Sequence, residues 1–290
     1  MKRQKGLRVL SPAKVNLFLE VIGKRPDGFH ELESVMQAIS LYDTLDFESI
    51  REGISIETDC SALQKIKNNL VYRAAAILMD KCRIKKGVRI SLQKRIPIGG
   101  GLGGGSSNAA ATLIGLNKFW GLKLSDEELS CLGMQLGSDV PFFIYGKIAL
   151  IKGRGEIVFP IEAKRSFHYL LLAPPIAVPT KNIYAKLKLP LTKQLKDANV
   201  FVNELRDNKT DNDALKELIF NRLESVAIML YPILHHTFTA FQKIAKDKIL
   251  MSGSGSTLFK ICKDRKEAQS LADLKSLREL GRVYIAQGIN

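Results

Sequence analysis

Six of the seven residues from Gly99 to Gly105 are glycine, and the exception is the apolar Leu102 in the middle. Glycine reaches positive φ and has no Cβ, so consecutive N–H groups of such a loop can converge on phosphate oxygens. Ser106-Ser107-Asn108 then opens an alanine-rich helix expected to run to about Trp120. Its unpaired N–H groups and positive dipole end favour the same anion. The run Pro97, Ile98, Gly99, Gly100, Gly101, Leu102, Gly103, Gly104, Gly105, Ser106, Ser107 therefore reads as one phosphate-binding segment.

Three other readings compete for this loop. A Walker loop needs Lys and then Ser or Thr after its last glycine, but Gly105 is followed by Ser106 and Ser107. The dinucleotide fingerprint is matched formally by Gly99, Gly101 and Gly104. The helix after it runs through Gly121-Leu122-Lys123-Leu124 into another helix, so no second strand offers a ribose-binding acid. A plain hinge would rarely use six glycines directly before a capped helix.

Other residues could share the chemistry. On an alternating strand Lys14 and Asn16 lie on one face and Val15 and Leu17 on the other, so both polar groups can reach one site. Phe29 and His30 follow the turn Pro26-Asp27-Gly28, a place to present a ring and a donor to a nucleobase. Asp139, two residues beyond Gly137, reads by its position as an N-cap or turn acid. His168, His235 and His236 read as structural, and Cys60, Cys82, Cys131 and Cys262 as reduced thiols without zinc-site spacing.

The elements that must position these residues form an α+β pattern. Strands are expected at Val15–Val21, Ser34–Phe47, Ile54–Thr58, Val88–Ile96 and Ile148–Val158, with a helix from Asn69 capped by Asn68 or Asn69. Ser125 with Glu128 forms a capping box for a helix over Asp126–Leu136, closed by Gly137. A fresh start near the basic turn Lys164-Arg165 places a domain boundary at about residue 160, giving domains 1–160 and 161–290. In the second, helical spacing runs from Leu215 to Leu230. Pro232 starts another helix, strand pieces flank Ser252-Gly253-Ser254-Gly255-Ser256, and a helix over Lys266–Leu277 precedes a strand over Arg282–Ala286.

The 290 residues are 46% hydrophobic and 25% charged, ordinary for a globular chain. No secretory signal follows the basic start at Lys2, Arg3, Lys5 and Arg8, and no apolar run nears the roughly 18 residues that span a bilayer, so a cytoplasmic protein is expected. A net charge of +15 favours a polyanionic partner, whether nucleic acid, anionic membrane or phosphorylated small molecule, although many lysines, among them Lys85, Lys86, Lys186, Lys188, Lys193 and Lys196, read as solvated surface.

The loop Pro97 to Ala109 closely resembles the phosphate-binding motif of the GHMP kinases. Three further segments are similar to the branch of that family whose acceptor is 4-diphosphocytidyl-2-C-methyl-D-erythritol. They are Ser11–Leu19 with Arg25–His30, Gly137–Phe142, and Met251–Ser256. The resemblance implies a ribosomal S5-like α/β domain followed by a ferredoxin-like α+β domain, with catalysis in the cleft between them. It also implies transfer of the ATP γ-phosphoryl to the 2-hydroxyl of that acceptor, in the non-mevalonate isoprenoid route.

By resemblance Asp139 accepts the hydroxyl proton, or orients the hydroxyl, beside Lys14. Asn16, Phe29, His30, Thr180 and Tyr184 bind the acceptor, with Phe29 and Tyr184 as walls of a cytosine sandwich. Phe29 stands where the family usually has tyrosine and lacks its hydroxyl. Asn69 contacts adenine. ATP is the co-substrate with Mg²⁺, for which the Ser106 or Ser107 hydroxyl is a candidate ligand. The implied partners are ATP and a cytidine-diphosphate-linked polyol, with no nucleic acid or membrane, and the chain acts as a monomer or homodimer. The rivals are a homoserine- or mevalonate-type kinase, which would not need Phe29 with Tyr184, and a basic nucleic-acid-binding protein, which would not need Lys14, Asp139 and two glycine loops.

Overall fold

The computed structural model describes residues 6–63, 69–163, 166–187, 196–207 and 212–290. Asn68, the turn Lys164-Arg165, Lys188, Lys193 and the first basic residues Lys2, Arg3 and Lys5 lie outside them. The chain divides into two compact units, neither continuous. One comprises Met1–Ala13, Tyr42–Ile96 and Gly103–Gly146, and the other Lys14–Leu41, Pro97–Leu102 and Lys147–Asn290. The folded units thus interleave along the chain.

Two long strands, β1 (Leu7–Lys24) and β2 (His30–Ile50), carry the chain through both units. In β1, every residue from Ala13 to Val21 is buried, so both faces of the strand are covered. This is why the apolar run is nearly continuous here and only Lys14, Asn16 and Glu20 interrupt it.

In the first unit β3 (Ile54–Thr58) runs parallel to β4 (Gly87–Gln93), which pairs antiparallel with Thr44–Ile50 of β2. Helix α1 (Leu70–Lys81), linking β3 to β4, is capped by Asn69, whose Oδ1 accepts from Val71 N–H at 2.9 Å. Helix α2 (Gly104–Trp120) starts two residues earlier than Ser106, straight from Gly103, whose φ of +70° suits glycine. Helix α3 (Asp126–Met134) has the expected capping box, with Ser125 and Glu128 each accepting from the other's backbone. It ends at Gln135, although Gly137 N–H still bonds back to Gly133 O at 3.1 Å. The short helix α4 (Val140–Tyr145) follows, with Pro141 in its first turn.

In the second unit β5 (Ile148–Gly153) pairs antiparallel with Leu32–Gln37 of β2 and folds back as a hairpin on β6 (Ile157–Pro160), so the expected single strand is two. Next come β7 (His168–Ala173), α5 (Thr180–Lys186), α6 (Ala198–Arg206) and α7 (Asn212–Leu218). The helical spacing from Leu215 to Leu230 is broken. Phe220–Asn221 forms β8, parallel to Phe18 and Leu19 of β1, before α8 (Glu224–Leu230) resumes. Pairing with a buried strand overrides a periodicity that apolar residues on both sides keep up. Helix α9 (Pro232–Ala245), β9 (Leu250–Met251) and β10 (Leu258–Cys262) follow, then α10 (Arg265–Ala272), α11 (Lys275–Arg278) and β11 (Arg282–Gln287). Here too one expected helix is two, divided at Asp273–Leu274.

The strands β11, β7, β10 and β9 form an antiparallel sheet in that order. One of its faces contributes Leu170, Leu172 and Leu258 to a core with Phe241, Leu234, Ala268 and Leu277 from the helices. No helix among the described residues is long and apolar enough to cross a membrane.

Candidate functional site

The glycine loop is shared out between the units: Pro97–Leu102 belongs to the second and Gly103 onward, as the start of α2, to the first. Each part has its own supports.

In the first unit the opening of α2 is pinned by a buried polar network. Asp43, fully buried, accepts from the backbone N–H groups of Arg95 and Ile96 at 2.7 and 2.9 Å and from Asn108 Nδ2 at 2.9 Å, and it pairs with the Lys94 ammonium. Lys94 also donates to Asn108 Oδ1 at 3.1 Å, and Asn108 to Ser11 Oγ at 2.9 Å. Ser107 is 1% exposed and its hydroxyl is held at 2.7 Å by Ser11. Ser106 is only half-buried, leaving it the more accessible of the two hydroxyls. A Cβ on Gly137 would lie 3.6 Å from Ser106 Oγ, so the turn that carries Asp139 runs past the start of α2. Asp139 occupies the N-cap position of α4 but has helical φ and ψ, and its side chain makes no capping bond. The cap reading of Asp139 therefore falls.

In the second unit Lys14 stands between two glycine loops. Its backbone N–H donates to Leu102 O at 3.0 Å, and its ammonium to Asn16 Oδ1. The same ammonium lies 3.1 Å from where a Cβ on Gly253 would sit. With φ at +58°, only glycine leaves that space open. Asn16 is held in turn by Ser34 Oγ at 2.8 Å, so the two polar residues expected on one face of β1 do share a site.

The two loops are also tied to each other. Ser252 Oγ donates to Gly101 O at 3.0 Å, and Thr257 N–H to Gly100 O at 3.1 Å. A Cβ on Gly101 would be 2.1 Å from Ser252 O, a distance no side chain tolerates. Sequence reasoning missed the residues that hold the second loop. Asn221 Nδ2 donates to Met251 O and Gly253 O, both at 2.7 Å, while Glu224 Oε2 accepts from Met251 N–H at 2.7 Å. They lie 27 to 32 residues away in sequence with no motif of their own.

Of the expected acceptor residues, Thr180 and Tyr184 are one turn apart on α5. The Thr180 hydroxyl meets Ser254 Oγ of the second glycine loop at 2.7 Å, and the Tyr184 ring packs on His30 with centroids 4.8 Å apart. Burial and, second, Lys24 push the His30 imidazole below its ordinary value, so at pH 7 it is neutral and offers one donor and one acceptor. Phe29 is 52% exposed, its backbone N–H bonded to Asp27 at 3.1 Å. Asn69 spends its Oδ1 on the α1 cap and its Nδ2 on Leu63 O at 3.3 Å.

The family profile described as GHMP kinases N terminal domain matches residues 69–147. The 4-diphosphocytidyl-2-C-methyl-D-erythritol kinase of Prochlorococcus marinus (strain AS9601) is 43% identical over 92% of this chain and 89% of its own. That of Shouchella clausii (strain KSM-K16) is 41% identical over 87% of this chain and 84% of its own. Among solved structures, a 4-(cytidine 5'-diphospho)-2C-methyl-D-erythritol kinase superposes with a TM-score of 0.83 at 32% identity, covering 98% of this chain and 100% of that one. A homoserine kinase from Cytophaga hutchinsonii shares the fold, with a TM-score of 0.74 at 18% identity over 99% and 96% of the two chains.

Proposed function

Because the chain belongs to the 4-diphosphocytidyl-2-C-methyl-D-erythritol kinases of the GHMP family, we propose that it moves the γ-phosphoryl of ATP onto the 2-hydroxyl of that acceptor, a step of the non-mevalonate route to isoprenoids. The observation that carries this reading is the position of Lys14, its backbone bonded to the first glycine loop and its ammonium against Gly253 of the second. An ammonium between two glycine-rich loops is an arrangement for a polyphosphate.

Phosphoryl transfer depends mainly on positioning and on neutralising charge. The N–H groups of Gly99–Gly105 and the start of α2 hold the phosphates, and Lys14 balances charge on the transferred group. Asp139 orients the acceptor hydroxyl and takes its proton as the oxygen–phosphorus bond forms and ADP leaves. Phe29 and Tyr184 bracket the cytosine, His30 meets its polar edge, and Asn16 and Thr180 complete the acceptor site. Asn69 contacts the adenine with the amide hydrogen that its bond to Leu63 O leaves over.

Among the described residues no group of three or more His, Cys, Asp and Glu forms a metal cage. The hard oxygens of Ser106 and Asp139 fit a Mg²⁺ ion that arrives with the nucleotide. When bound, such an ion would supply positive charge to offset that of the phosphates. The reaction takes place in the cytoplasm, on two small phosphorylated molecules, in a monomer or homodimer, with no part for nucleic acid or membrane.

The test is ADP release from Mg-ATP with a panel of alcohols: the cytidine-diphosphate methylerythritol, homoserine and mevalonate. Turnover is expected on the first. Turnover of either of the others without it overturns the proposal.

A further inference from the structure

Arg154 sits in the turn between β5 and β6, and its guanidinium carbon lies 4.7 Å from the centroid of the Phe29 ring. A second guanidinium, that of Arg25, flanks the same segment but is committed, to Glu31 at 2.7 Å and to Asp27 at 3.2 Å. Arg154 differs. Its Nε is 3.8 Å from Glu156 Oε1, beyond hydrogen-bond distance, and Glu156 spends Oε2 on the Arg154 backbone N–H at 2.6 Å. A guanidinium lying on an aromatic ring keeps its N–H donors at its edges, where they match two oxygens of a phosphate.

Phe29 is followed directly by His30, which packs on Tyr184, so the ring under Arg154 is itself one of the two proposed to bracket the base. In a nucleoside diphosphate the phosphates begin within one sugar of the base. A cation seated on a wall of the base site is at the right remove to meet them.

We infer that Arg154 is a specificity-determining residue for the acceptor: resting on Phe29, it engages the diphosphate that follows the cytosine. This rests on the reading of Phe29, His30 and Tyr184 as the base site. The guanidinium gives up the loose approach to Glu156 and the attraction of the Asp27 carboxylate, and gains charge-assisted bonds to an anion.

Arg154→Ala and Arg154→Lys test it, with cytidine and cytidine diphosphate as binding probes and steady-state kinetics on the acceptor. Loss of one charge-assisted contact predicts about tenfold weaker binding of cytidine diphosphate to R154A, with cytidine affected less than about twofold. The KM for the acceptor rises by a similar factor, while kcat and the KM for ATP stay within about twofold. R154K, which keeps the charge without the planar fork, falls between the two. Equal losses for cytidine and cytidine diphosphate, or an unchanged acceptor KM, overturn the role of Arg154 alone. A wild-type chain that binds neither probe and phosphorylates a different alcohol overturns the base site as well.

Discussion

Asp139 holds the N-cap position of a helix with a backbone that cannot cap. Its φ of −82° and ψ of −8° are helical, whereas a capping residue is extended so that its oxygen can turn back on the next N–H groups. Its carboxylate makes no capping bond, and it is this group that we propose for the chemistry. Asp139→Asn keeps the shape and removes the basicity, so kcat should fall by about 10²- to 10⁴-fold while the KM for ATP and the melting temperature stay near those of the wild type. Steady-state kinetics with a thermal melt decide it, and a mutant with wild-type kcat would remove Asp139 from the mechanism. Alternation alone put Lys14 and Asn16 on one face of β1, where the ammonium does meet the Asn16 amide, whereas Thr180 and Tyr184 were named by resemblance. Ser252 was legible only as part of a glycine-rich string. That its hydroxyl reaches back to Gly101, 151 residues earlier, is a matter of tertiary packing that no local pattern encodes.

At the scale of elements, β8 and α8 show what local reading misses. The apolar residues from Leu215 to Leu230 keep a helical period, yet two of the residues between them leave the helix to pair with β1. That excursion brings Asn221 to the two carbonyls of the second glycine loop. Asn221→Ala leaves both carbonyls without a donor and should cost about 1–3 kcal/mol in urea unfolding, with a loss of kcat through the displaced Gly253 and Lys14. Asn221→Asp, which turns an acceptor toward two acceptors, should cost more than the alanine; the reverse order would mean that the amide does not hold the loop.

The same helix start gives a pH signature. Burial raises the Glu224 carboxyl to about 7, against the opposing pull of the Met251 N–H and of Lys248. A raised carboxyl favours the protonated form in the folded state. As pH climbs past the unfolded value near 4.5, the unfolded chain ionises first and stability declines, levelling off once pH passes about 7. Melting temperatures from pH 4 to 8 should show this decline in the wild type and a flatter profile in Glu224→Gln. Parallel profiles would mean that Glu224 titrates normally.

Over the whole molecule, most secondary-structure types and the glycine loop leading into α2 were readable from residue order, because glycine spacing, capping boxes and alternation are local. The interleaving of the units was not: β1 and β2 are each long enough to serve both, and a sequence read as successive segments assigns each strand to one place. Net charge, by contrast, is a global property that the sequence states outright. At +15 the protein attracts two polyanionic substrates before any contact is made. Such steering acts through solvent, where the screening length shrinks from about 30 Å at 0.01 M salt to about 3 Å at 1 M. The phosphate contacts proposed for Lys14 and the loop backbones would be short and partly desolvated, so salt should weaken them less. Raising KCl from about 0.02 to about 0.5 M should therefore lower kcat/KM for both ATP and the acceptor several-fold and change kcat by less than about twofold. Values of kcat/KM independent of salt would show that the excess charge is dispersed over solvated lysines such as Lys85 and Lys86 and does no work in capture.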